Sequence, residues 1–374
     1  MSGIYIHIPF CKQACHYCDF HFSTSLQNKQ SLIDSIKKEL ILRKNYLLDN
    51  KIETIYFGGG TPSLLSSDEL LSVFETIHNL FSVAKNAEIT LEANPDDLSK
   101  AYIKQLRETP VNRLSIGIQS FRDVDLKWMN RAHNSSEATN SVMDAASAGF
   151  NNISIDLIYG LPDLSLLDWQ NNLKKAIALP VQHLSCYCLT IEPRTALAYQ
   201  IKKGISKVAE DENAIAQFEW LIDYAAENNF EQYEISNFAK PGFYSRHNTS
   251  YWKGIPYLGI GPSAHSFDGA SRQWNVSNNP LYIKAVESGK LEFTKEVLTT
   301  SEKYNEYVLT SLRTVWGVDL KIVQQHFGED VLQHLKNEAA LYLLKGELKT
   351  ENSHMYLTRK GKFIADRIAS DLFI

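Results

Sequence analysis

The segment that most constrains this chain is Cys11-Lys-Gln-Ala-Cys15-His-Tyr-Cys18, directly after the apolar run Ile4-Tyr-Ile-His-Ile8. The run reads as a strand, which places three of the chain's five cysteines together in the loop at its tip. Thiolates gathered that closely repel unless a cation or a cluster holds them. Three sulfurs at x3 and x2 spacing can take three corners of an iron–sulfur cubane, whose full protein ligation needs a fourth. The remaining cysteines, Cys186 and Cys188, are far off in sequence and are expected to be buried free thiols on a later strand. An iron with an open position is therefore the sharper reading, because a substrate or cofactor can bind there. A structural zinc is the alternative: C-x2–4-C spacing suits tetrahedral zinc, and His7, His16 or His21 could supply the fourth ligand.

The rest of the composition narrows the class. With 374 residues and 44% apolar content the chain can bury one large α/β domain plus an appendage, or two domains. A net charge of -5 with a pI near 6.1 gives no electrostatic footprint for nucleic acid. No basic leader followed by an apolar stretch opens the chain and no membrane-length apolar run occurs, so a soluble cytoplasmic protein is expected. Five cysteines, three of them clustered, fit a reducing compartment better than a disulfide scaffold.

Along the chain, apolar Leu32, Ile33, Ile36 and Leu40 predict an amphipathic helix over 31–48, and Thr54-Ile-Tyr-Phe57 a buried strand entering Gly58-Gly59-Gly60-Thr61-Pro62. Ser66 to Glu69 is a capping box for the next helix. Strands at 88–92, 113–118, 153–158 and 183–189 alternate with helices near 97–108, 135–149 and 167–178. That alternation implies a parallel sheet with right-handed crossovers, and active groups in such sheets sit at the C-terminal strand ends. A long helix covers about 210–229. Residues 233–275, rich in Gly, Pro, Tyr, Trp and His, resist parsing and are expected to pack irregularly over the sheet. Thr299 and Glu302 cap another helix, Gly317 stops it, and further helices with a short Met355–Leu357 strand predict a small winged-helix-like module. Its lack of a Lys/Arg face argues for packing or a partner rather than DNA. Three segments are expected: 1–230, a capping stretch at 231–295, and the terminal module at 296–374.

Cys11, Cys15 and Cys18 match the CxxxCxxC signature of the radical S-adenosylmethionine (SAM) superfamily. Tyr5-Ile-His-Ile-Pro-Phe-Cys11 through Cys18-Asp-Phe resembles the branch that holds oxygen-independent coproporphyrinogen III oxidase and the HemW-type haem chaperones, and the resemblance covers nearly the whole chain. It implies that the sheet curls into a partial (β/α)6, TIM-like barrel, and that a [4Fe-4S] cluster on the three cysteines binds SAM through its fourth iron. It also implies that Gly59, Gly60 and Thr61 receive the SAM amino group and that Glu92 binds the ribose. Gln119, Arg131 and Asp156 fall on further SAM positions, Thr190 on a secondary nucleotide contact, and Tyr5 and Tyr17 flank the cluster and adenine. Taken singly, Glu92, Arg131 and Asp156 read equally well as structural charges. The chemistry implied is one-electron cleavage of SAM to methionine and a 5′-deoxyadenosyl radical.

Three features separate the two branches. The oxidase pattern CxxxCxxCxC lacks its last cysteine here, where Phe20 stands, and the oxidase's long leading segment is missing before Tyr5. Arg246-His247-Asn-Thr-Ser-Tyr251-Trp252 contains HNxxYW, associated with haem binding in the HemW type. His247 offers an imidazole for iron, Tyr251 and Trp252 offer flat apolar surface, and His265 is a second candidate ligand. The resemblance thus implies a haem chaperone that delivers haem to acceptor proteins, respiratory complexes at a membrane among them. A coproporphyrinogen-decarboxylating oxidoreductase and a zinc-stapled binding protein are the alternatives.

Overall fold

The protein, described by a computed structural model over residues 2–374, is built from strand–helix units in chain order. They run β1 (Ser2–Ile8), α1 (Lys29–Leu42), β2 (Lys51–Gly59), α2 (Ser67–Leu80), β3 (Ser82–Ala93), α3 (Lys100–Leu106) and β4 (Arg113–Gln119). Next come α4 (Asp123–Trp128), α5 (Ser135–Ser147), β5 (Ile153–Tyr159), α6 (Leu166–Ala178), β6 (His183–Cys188), α7 (Ala196–Lys202) and α8 (Asp211–Glu227). β1 to β6 are parallel neighbours in that order. This is the expected partial barrel: the sheet stays open, with β1 and β6 each carrying further strands.

Residues 233–275, expected to pack irregularly, are instead built of regular elements, and together with their flanking strands they extend the sheet on both sides. β7 (Glu231–Glu234) and β8 (Asn237–Ala239) add antiparallel strands beside β6. After α9 (Arg246–Trp252), β9 (Tyr257–Ile260) returns to the opposite side and pairs parallel with β1, followed by β10 (His265–Phe267), β11 (Ser271–Asn275), α10 (Asn279–Glu287) and β12 (Phe293–Val297). The terminal module holds α11 (Thr300–Leu312), β13 (Val318–Asp319), α12 (Leu320–Phe327), α13 (Glu329–Leu344), β14 (Leu348–Glu351), β15 (His354–Leu357), α14 (Arg359–Lys362) and α15 (Ala365–Asp371). Its three strands form a sheet of their own, in the order β13-β15-β14.

Strand alternation explains the layering. Ile4, Ile6 and Ile8 of β1, with Leu114, Ile116 and Ile118 of β4, are buried in the main core. The alternate positions carry polar and aromatic groups. Tyr5, Tyr56, Thr90 and Arg113 are register neighbours across β1 to β4. Arg113 is 1% exposed, yet its Nε and Nη1, like the Thr90 hydroxyl, have no hydrogen-bond partner among the described residues.

Both predicted capping boxes are present, Ser66 with Glu69 and Thr299 with Glu302. A buried carboxylate ties the two sides of the fold: Glu39 on α1 accepts from Arg43 (3.3 Å), Gly261 N (2.9 Å), Asn275 (2.8 Å) and the Tyr282 hydroxyl (2.6 Å). Arg43 in turn donates to Gly259 O, Ser266 and Gln273. α1 thereby holds the β9–β11 extension in place.

Candidate functional site

The loop after β1 carries Cys11, Cys15 and Cys18, each half-buried. Its backbone is pinned from two directions. Met129 O accepts from His16 N at 3.1 Å, the Asn130 amide donates to Ala14 O at 2.7 Å, and His16 O accepts from Leu197 N at 2.7 Å. The connection after β4 and the start of α7 therefore fix the loop's path.

Two donors reach the sulfurs, the Thr61 hydroxyl to Cys11 Sγ at 3.4 Å and Arg131 Nη1 to Cys15 Sγ at 3.4 Å. Burial nevertheless pushes the Cys11 thiol up, and Cys18 to about 12, with neighbouring cysteines adding to the shift. Without a bound cation these thiols hold their protons, and ligation would displace them. Of the histidines that could complete a zinc site, His7 has both ring nitrogens bonded and His16 and His21 one each. His7 bonds Tyr5 and His21 O through its two nitrogens, His16 Nδ1 bonds Trp128 O, and His21 Nε2 bonds Asn279. Among the described residues no three His, Cys, Asp or Glu side chains are grouped as a site for a single metal ion.

Beside the loop, glycines let neighbouring backbone and side chains pack closely. Gly59 has φ 105°, and a Cβ there would sit 2.5 Å from the His7 ring. A Cβ on Gly60 would meet Phe10 O at 2.7 Å. At Gly117 it would lie 2.9 Å from Gln119 Nε2, 3.3 Å from Arg131 Nη2 and 3.7 Å from Asn94 Oδ1, so three polar side chains converge over that glycine. Gln119 is itself in the left-handed region, at φ 66°. Arg131 Nη2 donates to Asn94 Oδ1 and Gly117 O, both at 2.7 Å, and Asn94 Nδ2 donates to Thr61 at 3.2 Å. A continuous chain Cys15–Arg131–Asn94–Thr61–Cys11 thus spans the loop. The Arg131 Nε is buried without a hydrogen-bond partner among the described residues.

Glu92 accepts from the Tyr56 hydroxyl at 2.6 Å and from Gly59 N at 3.2 Å. Burial lifts its carboxyl to about 7, and the nearby Asp156 adds to the shift. Burial likewise lifts Asp156 to about 6, against a hydrogen bond from Ser185. Asp156 lies at the middle of β5, opposite Ser185, rather than at the strand end. Tyr5 and Tyr56 stack 6.2 Å apart, and burial raises the Tyr17 hydroxyl as it does theirs.

The expected SAM residues are therefore brought together, with one exception. Thr190 is exposed beyond β6. Cys186 is buried as expected, but Cys188 is exposed, because β6 runs out past its cover at Tyr187. Asn94, Gly117 and Tyr56 take part without having been singled out. Asn94 closes the same Ile89–Asn94 stretch as Glu92, and that was its one available signal.

The haem candidates divide. His247 is 1% exposed, and both its ring nitrogens are bonded, Nδ1 to Thr54 at 2.8 Å and Nε2 to the Tyr251 hydroxyl at 2.7 Å. Glu88 accepts the backbone N–H groups of Arg246 and His247, fixing the start of α9. Tyr251, Trp252 and His265 instead line a cavity of about 1290 Å³. It opens between the tail of the cysteine loop, β9–β11 and the α11 face of the terminal module. Phe20, 67% exposed, stands in its wall. The His265 ring stacks on Trp274 at 5.7 Å, and neither of its nitrogens has a hydrogen bond among the described residues. Burial and the nearby Arg272 hold its pKa below the usual histidine value, so it is neutral at pH 7.

Comparison with known proteins follows the same division. The model of the Radical SAM superfamily matches residues 5–176, and that of the HemN C-terminal domain matches residues 298–364. Curated relatives include the protein named Heme chaperone HemW of Bacillus subtilis, 34% identical over 372 residues and covering 98% of each chain. The Escherichia coli protein of that name is 32% identical over 386 residues, covering 100% of this chain and 98% of the relative. Radical S-adenosyl methionine domain-containing protein 1, mitochondrial, of Danio rerio is 34% identical, covering 91% and 82%. Among solved structures, coproporphyrinogen III oxidase (HemN) from Escherichia coli superposes with a TM-score of 0.86 at 22% identity, covering 100% of this chain and 90% of that one. At that identity the likeness is one of fold.

Proposed function

This chain belongs to the HemW family of the radical SAM superfamily, and on that premise we propose that it is a haem chaperone. It carries a SAM-bound [4Fe-4S] cluster, binds haem, and passes it to haem-requiring acceptors, respiratory proteins among them, from the cytoplasm. Among the described residues no helix is long and apolar enough to cross a membrane. The observation that carries the reading is the large aromatic cavity beside the cysteine loop, which presents an unbonded neutral imidazole.

The residues fit both groups. Cys11, Cys15 and Cys18 would ligate three irons, and Thr61 and Arg131 would hold the sulfurs in their anionic form through charge-assisted hydrogen bonds. Gly59 and Gly60 would offer backbone to a ligand's amino group, and Glu92 and Asp156 would accept ribose hydroxyls. When bound, the reduced cluster supplies an electron to the sulfonium of SAM. Tyr5, Tyr17 and Tyr56 would exclude water from that encounter.

Glu92 gives the reading a pH signature. The carboxyl titrates near 7, and the form that accepts hydroxyl protons is the ionised one. Its ionised fraction rises roughly tenfold from pH 6 to pH 8 for a pKa of about 7. SAM affinity of the reconstituted protein, followed by equilibrium dialysis, should climb by about that factor across the window. In Glu92→Gln the climb should flatten to whatever SAM's own amino group contributes.

On the haem side we assign His265 as the iron ligand, with Tyr251 and Trp252 walling the macrocycle. His247 is a positioning residue that holds Tyr251. Haem titration of His265→Ala should lose the imidazole-ligated spectrum and at least about tenfold in affinity. His247→Ala should keep that spectrum while losing about 1–3 kcal/mol of stability, since Thr54 and Tyr251 lose their bonds. The reverse pattern would return the ligand role to His247, and the absence of saturable haem binding would remove the chaperone reading.

A further inference from the structure

We infer that Lys253 and Lys303 make this cavity selective for a macrocycle bearing two free carboxylates, held between the barrel and the terminal module. The inference rests on the haem reading above and adds what that reading leaves open, namely how the polar edge of the ligand is recognised.

A cavity with aromatic walls takes up a flat apolar body but gives it no orientation. The few charged groups that point in decide which edge goes where. Three cations line this one: Lys253, Arg272 and Lys303. Arg272 is already engaged, with Nη2 2.8 Å from Glu306 on α11. Lys253 and Lys303 differ from it. Neither ammonium group has a hydrogen bond or an ion pair among the described residues, and Lys253 Nζ rests 4.3 Å over the Trp316 ring. Of the acids lining the cavity, Glu306 is paired with Arg272, Asp319 lies 3.5 Å from His354, and Asp19 stands on the cysteine-loop wall. None of the three is paired with Lys253 or Lys303, so both ammonium groups remain available to an anionic ligand.

The two lysines also come from different parts of the fold. Lys253 follows α9 on the barrel, and Lys303 sits in the first turn of α11, one turn ahead of Glu306. Trp316, under Lys253, belongs to the stretch after α11, so the cation–π contact already crosses from barrel to module. A ligand with one carboxylate for each lysine would join the two parts through its own edge, leaving its flat body against Trp252, Tyr251 and His265. Haem has two propionates on neighbouring pyrroles and fits that demand. A porphyrin whose acids are esterified keeps the body and loses the anchors.

The test compares haem with its dimethyl ester on the full-length reconstituted protein at low ionic strength, in detergent that keeps both monomeric. The wild type should bind the diacid at least about tenfold more tightly than the diester. In Lys253→Gln/Lys303→Gln that preference should vanish through loss of diacid affinity alone, the diester binding as before. Raising the salt should shrink the wild-type preference and leave the double variant unmoved. Equal wild-type affinity for both forms would overturn the inference while leaving the haem reading intact, and so would unchanged selectivity in the double variant. If neither form binds, both fall together.

Discussion

Cys15→Ala protein, reconstituted without oxygen, will fail to retain iron and sulfide and will lose SAM binding by more than about 100-fold, while its unfolding midpoint moves little. Removing a residue that merely supports a metal ligand typically costs about 10–100-fold, and removing the ligand costs more. Cys15 is half-buried on a loop whose path is set by hydrogen bonds to Met129 O, from the Asn130 side-chain amide and from Leu197 N, none of which involves its sulfur. A half-exposed loop residue without a packing role usually changes stability by about 0.5 kcal/mol or less. Arg131→Met should fall between Cys15→Ala and wild type in cluster retention, because it takes away both the Cys15 donor and the Asn94 link. Metal analysis with visible absorption, alongside a denaturant titration, checks both halves. A wild-type iron content in Cys15→Ala would reject the cysteine loop as the cluster site.

Glu39→Ala is the second large effect, and it acts on the fold before the chemistry. The carboxylate is fully buried and satisfies Arg43, Gly261 N, Asn275 and Tyr282 at once. Its removal leaves the Arg43 guanidinium as a buried cation without its counter-charge, a change that costs about 3–5 kcal/mol. The loss should appear as a lower denaturant midpoint. Gly261, at φ 103°, begins the turn that delivers His265, and its N–H is one of the donors left unpaired. Haem affinity should therefore fall in this variant even though Glu39 is remote from the ligand. A midpoint within error of wild type would show that the β9–β11 extension does not depend on α1.

Much of this arrangement could be read from the chain. The cysteine spacing, the Gly58–Thr61 turn and the strand–helix alternation each follow from local chemistry, and so do the two capping boxes at Ser66 and Thr299. What stayed hidden depends on contacts between distant residues. β9 is four residues long and finds its partner in β1, more than 250 positions away in sequence, so no local period announces it. The same holds for Asp156, whose apolar neighbours mark a strand but whose depth in β5 is set by pairing with β6. His247 and His265 look alike as letters. Only the packing of Thr54 and Tyr251 around the first, and the empty space before the second, separates a structural imidazole from an available one. Cys188 was misjudged for a related reason: alternation along β6 cannot show where the neighbouring cover ends.

On the proposed reading, this barrel carries haem rather than making its precursor. Anaerobic incubation of the reconstituted chain with coproporphyrinogen III, SAM and a strong reductant, with porphyrin side chains analysed by mass, puts that claim to its most direct test. The four propionates should remain and no vinyl group should appear. Conversion of two of them to vinyls over many turnovers would contradict it and make the protein an oxidase.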